Sequence, residues 1–128
     1  ELGGSAHGLE KGGLTDFGRE VIARAERYGM IIDLAHASPA VYNDVLDMAT
    51  KPVVVSHGGV RATCDNVRNL SDETLLRIRD NGGVVGIGYW NAAICDISPG
   101  GWAKAVRHAV DVMGVDHVGL GSDYDGAT

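Results

Sequence analysis

Positive charge is scarce in this 128-residue chain: 11 lysines and arginines stand against 17 aspartates and glutamates, for a formal charge of −6. A phosphate backbone calls for a basic surface, so nucleic acid is not expected as a partner. Aromatic residues make up only 5% of the sequence, too few for a base-stacking platform. The two cysteines, Cys64 and Cys95, have neither CxxC spacing nor the density of a disulfide scaffold, and on those grounds read as two reduced thiols. No apolar run approaches the roughly 20 residues that a membrane span requires, so no membrane segment is expected. Without a signal or anchor pattern, cytoplasmic residence is favoured over secretion. There is no GK[ST] phosphate loop and no G-x-S-x-G nucleophile elbow, and no Ser or Cys triad suggests itself in the order of the chain.

What is present describes an ordinary globular domain: 45% hydrophobic and 22% charged residues, with 19 glycines gathered at segment junctions. The length suits one domain, residues 1–128, and the opening Glu1 and closing Thr128 suggest a piece of something longer. Four short apolar runs, at 30–35, 53–56, 84–88 and 117–121, are rich in β-branched residues and too short for helices. Continuous rather than alternating apolar character predicts strands buried on both faces of a parallel sheet. Between them lie helical patterns. Thr15 caps one that runs to Tyr28, and Ser38-Pro39 starts a second. Leu70 and Leu75 staple a third, and a fourth carries Trp102, Val106, Ala109, Val110 and Met113.

The resulting order, αβαβαβαβ, demands helical crossovers between parallel strands. Connections are long after the strands and short before them, as in (β/α)₈ enzymes, so half of an eight-stranded barrel is expected. A flavodoxin-like sheet of four strands is the alternative architecture, lowered by the lack of a glycine-rich loop after its first strand.

Two of the expected strands end in histidines, His36 and His57. Histidines at neighbouring strand ends can converge on one ion, although each alone could be a satisfied core residue. Asp123 ends the last strand at the same rim and could ligate metal, move a proton or cap a turn. Arg68, in the long connection after the second strand, could grip a carboxylate bidentately. Asp33, three residues before His36, should face the opposite side as a buried structural carboxylate.

Taken together, Gly13-Leu-Thr-Asp-Phe-Gly18, Ile32-Asp-Leu-Ala-His-Ala-Ser38, Val55-Ser-His57, Arg68-Asn69 and Gly119-Leu-Gly-Ser-Asp-Tyr-Asp-Gly126 resemble the membrane (renal) dipeptidase family of zinc peptidases. The resemblance implies an α/β fold, a (β/α)₈ TIM barrel of amidohydrolase type, of which this chain supplies about the carboxyl half with four parallel strands. It implies two zinc ions in the intact parent, His36 and His57 holding one of them. It further implies a dipeptide substrate recognised by Arg68, with Asp123 in proton transfer and substrate contact, and hydrolysis by a metal-bridging hydroxide. The family's upstream His-x-Asp pair and bridging glutamate have no counterpart here, so the fragment by itself is expected to be inactive. It should retain at most one partial metal site, and self-associate or pair with a missing amino-terminal half. The rival expectation is a non-catalytic barrel fragment that binds a ligand or partner without turnover. Some family members also place a disulfide at the positions of Cys64 and Cys95.

Overall fold

A computed structural model describes residues 1–126. Four helices begin on hydroxyl caps, as their local sequence dictates. Thr15 accepts from Gly18 N ahead of α1 (Asp16–Arg27), and Ser38 from Val41 N ahead of α2 (Pro39–Met48). Ser71 accepts from Thr74 N ahead of α3 (Asp72–Asp80). A short α4 (Asn91–Ile94) lies in the connection expected to be only loop. Ser98 then caps α5 (Pro99–Met113), where Pro99 again occupies the first turn. Leu70 and Leu75, before and inside α3, are both buried, as a hydrophobic staple requires.

The strands are β1 (Val54–Gly58), β2 (Val84–Ile87) and β3 (Val118–Leu120), the last entered through a 3-10 turn, Val115–His117. They form one sheet in the order β1-β2-β3, with both pairs parallel. This corrects the expectation of four strands. Residues 30–35 make only an isolated parallel bridge, Asp33 to Val54, among the described residues. The reason is local: the Asp33 carboxylate accepts from the amides of Ala35 (3.0 Å) and Ser56 (3.1 Å), and the chain turns at Ala35–His36 instead of extending.

Helices cover one face of the sheet. Val45 of α2, Leu75 and Ile78 of α3, and Ala105, Ala109 and Met113 of α5 form one cluster with Val55, Val85 and Ile87. Leu75 and Ile78 are fully buried, each stabilising by about 2–3 kcal/mol through transfer from water. The sheet is not covered throughout: Val84, which alternates with Val85 and so faces away from the helices, is 39% exposed, and Leu120 on the edge strand β3 is 73% exposed. Burial on both faces, expected from the continuous apolar runs, is therefore not met within this chain. α1 is also loosely held, with Phe17 and Tyr28 exposed. It is tied down through buried Glu26, whose carboxylate accepts from Thr50 N, Thr50 Oγ1 and Lys51 N at 2.9–3.1 Å.

The β1–β2 ladder contains one irregularity that matters for the site. Val55 pairs with Val85 and Gly58 with Ile87, so Ser56 and His57 together stand opposite Gly86. Two residues against one is a β-bulge, which re-aims side chains. Gly86 permits it: a Cβ there would lie 2.3 Å from the Ser56 carbonyl oxygen.

Candidate metal and substrate site

The bulge brings His57 to the rim at the carboxyl end of β1, half-buried, where its Nε2 lies 3.0 Å from Nε2 of His36. His36 reaches that point from the turn after the Asp33 bridge with a left-handed backbone, φ 67°. Asp123, one of the residues after β3, is likewise left-handed at φ 49°, and its Oδ2 lies 3.7 Å from His57 Nε2. Non-glycine residues in this region cost of order 1–3 kcal/mol and cluster at functional sites. Arg68 completes the group, its Nη2 donating to His36 Nε2 at 3.1 Å. All four residues singled out from the sequence thus meet at one mouth.

The protonation states suit metal binding. Burial, then the Arg68 guanidinium and the His57 and His7 rings, push the His36 imidazole below its ordinary 6.5, against an opposite pull from Asp123. His36 is therefore neutral at pH 7. A guanidinium can only donate, so His36 Nε2 carries a lone pair rather than a proton, and Arg68 must release that lone pair before the nitrogen can bind an ion. His57 Nδ1 lies 2.9 Å from Ser56 Oγ, a partner that can accept its proton and leave the second lone pair free. Two imidazole nitrogens 3.0 Å apart can both reach an ion about 2.0–2.1 Å from each. The donor chemistry fits zinc, though only as half a centre. Among the described residues no group of three or more His, Cys, Asp or Glu side chains is placed to hold a metal ion.

Asp33 does not sit apart on the opposite side. The turn at His36 breaks strand alternation, and the Asp33 carboxylate bonds to Ser56, the neighbour of His57. Desolvation opposes its ionisation, but the Ser56 hydroxyl and the amides of Ala35 and Ser56 outweigh that and hold it below its usual 3.8.

The loop that carries Arg68 is fixed to α4 and its carboxyl-terminal cap in two ways. Cys64 and Cys95 are joined by a disulfide, Cα to Cα 5.4 Å, which corrects the reading of two reduced thiols and agrees with the resemblance. Their spacing in sequence, 31 residues, carries no pairing signal. Beside the bridge, buried Asn69 donates through Nδ2 to the carbonyls of Cys64 (2.7 Å) and Ala93 (2.9 Å).

Two further residues escaped the sequence reading. Trp90 lies beneath Arg68, whose guanidinium carbon is 5.7 Å from the ring centroid, within cation–π range. Its place just beyond the end of β2 was the available signal. The His7 ring lies 5.6 Å from that of His36, because the amino-terminal loop docks by Ala6 N donating to the His36 carbonyl at 2.9 Å. Nothing in that glycine-rich stretch announces the docking. Asp125 and His108 stay outside the group; His108 pairs with Asp72 at 2.7 Å. Among the described residues no helix is long and apolar enough to cross a membrane.

Comparison with known proteins finds relatives in both sequence and structure. An uncharacterized dipeptidase of Schizosaccharomyces pombe is 37% identical over 126 residues, 93% of this chain and 30% of its own length. Mouse dipeptidase 3 is 35% identical over 118 residues, 90% of this chain and 24% of its own. A metallopeptidase of Rhodobacter sphaeroides, solved with a phosphinate mimic of the dipeptide L-Ala-D-Ala, superposes with a TM-score of 0.88 at 31% identity. It spans all of this chain, which covers 38% of that structure. An amidohydrolase of Pseudomonas aeruginosa gives a TM-score of 0.89 at 31% identity, covering 99% of this chain and 40% of its own. The chain thus spans less than half the length of these relatives. The sequence pattern of the membrane dipeptidase family, peptidase family M19, matches residues 3–128, and with this α/β fold and parallel sheet the chain belongs to that family.

Proposed function

We propose that this chain is about the carboxyl half of a (β/α)₈ barrel whose complete form is a zinc-dependent dipeptidase. The observation that carries the reading is the convergence of His36 and His57 at 3.0 Å, with Arg68 and Asp123 beside them. His36 and His57 would hold one zinc ion, with the remaining donors supplied from outside this chain. Bound zinc would polarise the scissile carbonyl and make hydroxide available near neutral pH. Arg68 presents parallel N–H donors to the carboxylate of the dipeptide, and Trp90 steadies the guanidinium from below. A longer peptide lacks that carboxylate at the required distance and loses the contact. Asp123 Oδ2 accepts the proton released by the attacking water and hands it to the leaving amine.

The half-barrel assignment rests on the incompletely covered sheet, whose Val84 and Leu120 await a neighbour. In the complete barrel the remaining strands and their helices would cover it; in the isolated chain self-association is expected. The test is an assay of the complete protein on dipeptides with zinc. His36→Ala/His57→Ala should abolish hydrolysis, and full activity in that double variant would refute the assignment.

A second reading, a non-catalytic fragment that binds without turnover, draws on the missing third metal donor among the described residues. The two are separated by assaying the chain alone. No hydrolysis is expected from it, whereas metal-dependent hydrolysis would exclude the second reading.

A further inference from the structure

Arg68 stands near the end of a loop that closes on itself. The base of the loop is an isolated parallel bridge between Val60 and Leu70, with Arg61 N donating to Leu70 O at 2.8 Å and Leu70 N to Gly59 O at 3.0 Å. Within it, Arg68 N donates to Asn66 Oδ1 and Asn69 N to Asn66 O, both at 3.0 Å. Asn69 also ties the loop to α4, its Nδ2 donating to Cys64 O at 2.7 Å and to Ala93 O at 2.9 Å. Carbonyls only accept, so the two of them fix the amide with its NH₂ group toward them. The other end of the amide, Oδ1, is buried and has no hydrogen-bond partner among the described residues. It lies against Gly59, where a Cβ would come within 2.6 Å of Oδ1 and 2.1 Å of Ala93 O. A buried acceptor left unpaired works against stability and calls for an explanation beyond packing. Here it belongs to the residue next to Arg68.

We propose that Asn69 is a positioning residue for dipeptide recognition: clasped to the Cys64 and Ala93 carbonyls, it fixes the backbone of Arg68 at the distance from which the guanidinium meets the substrate carboxylate. The inference rests on the reading of Arg68 as the carboxylate grip and adds what sets its reach. The disulfide beside the clasp does a different job. It anchors Cys64, separated from Arg68 by Asp65, Asn66 and Val67, and stabilises chiefly by constraining the unfolded chain. Asn69 is joined to Arg68 by a peptide bond, so its two hydrogen bonds restrain the Arg68 Cα in the folded state. The clasp holds backbone and not guanidinium, which leaves the side chain able to turn from His36 Nε2 to a carboxylate.

The experiment is steady-state kinetics of the complete protein with zinc and a dipeptide, KM and kcat being read separately, alongside thermal melts of the same samples. Asn69→Ala should raise KM about tenfold, as loss of a charge-assisted contact does, and leave kcat within about threefold. Asn69→Ser, which retains one donor, should raise KM by less, and it carries the test if the alanine variant does not fold. Cys64→Ala/Cys95→Ala should lower the melting temperature and leave KM unchanged. Arg68→Ala should raise KM at least as much as Asn69→Ala, and the two substitutions together should do no more than Arg68→Ala alone. KM does not depend on the amount of folded enzyme, so a merely structural role would lower the melting temperature and apparent kcat with KM unchanged. That result would overturn the inference. So would an Asn69→Ala increase in KM that persists in full in the Arg68→Ala background, or one matched by the cysteine variant. Arg68→Ala without effect on KM would instead sink the carboxylate reading and take this inference with it, so the two failures are distinguishable.

Discussion

Removing the Cys64–Cys95 bridge should cost this protein more than any surface change, and the size of the loss can be worked from the chain path. The disulfide joins residues 31 apart, and closing a loop of that length in the unfolded state corresponds to about 3.7 kcal/mol of stabilisation at 25 °C. For 128 residues the unfolding entropy is about 0.27 kcal/mol/K, so the melting temperature should fall by about 14 °C on reduction. Cys64→Ala/Cys95→Ala should reproduce the loss without reductant, since Cys64 is packed at the α4 end and alanine fills most of its space. The folded state should change little, because Asn69 still clasps the carbonyls of Cys64 and Ala93 and keeps Arg68 at the mouth. Urea unfolding of oxidised, reduced and double-alanine protein, followed by circular dichroism, measures the effect. Coincident midpoints for oxidised and reduced protein would refute the reasoning. A loss accompanied by a collapsed m-value would instead mean that the bridge holds the native loops together, contrary to the entropic account.

Two other predictions concern polar anchors away from the mouth. Glu26→Ala strands three donors at the carboxyl end of α1 and should destabilise by about 3 kcal/mol, whereas Glu26→Gln keeps an acceptor and should cost about 1 kcal/mol; thermal melts showing the reverse order would contradict the carboxylate's role. Asp44 is held below its ordinary 3.8, first by the amide of Leu14 and then by Arg19, against the opposing effect of desolvation. Its folded pKa is thus the lower one, so its stabilisation is present above about pH 4 and is lost as the pH falls through the folded value. Asp44→Asn should flatten that acid limb in stability measured against pH, and an unchanged limb would remove Asp44 as its source.

Features set by short-range chemistry were legible in the sequence. Thr15, Ser38 and Ser71 announce their helices because a cap involves residues three apart. Ser98-Pro99 repeats the Ser38-Pro39 pattern and starts α5 three residues before Trp102, the first residue of its apolar stripe. The convergence of His36, His57, Arg68 and Asp123 was readable because each stands just after an apolar run or within its loop. Residues 30–35 misled because β-branched content reports suitability for a sheet, not the presence of a partner strand; here Asp33 diverts the amides that a ladder would use. The disulfide, the docking of His7 and the stacking of Trp90 on Arg68 all depend on which loops become neighbours, information that no local pattern holds.

The doubled rung at Ser56–His57 makes the mouth sensitive to strand length in a way that composition hides. Loss of Ser56, the one residue between Val55 and His57, would regularise the ladder, set His57 in the slot that Ser56 now holds, and remove the hydroxyl that lies 2.9 Å from its Nδ1. Substitution can retune this strand; deletion disconnects it. Related chains that keep a histidine here but not the extra residue before it would carry the letter of the motif without its reach.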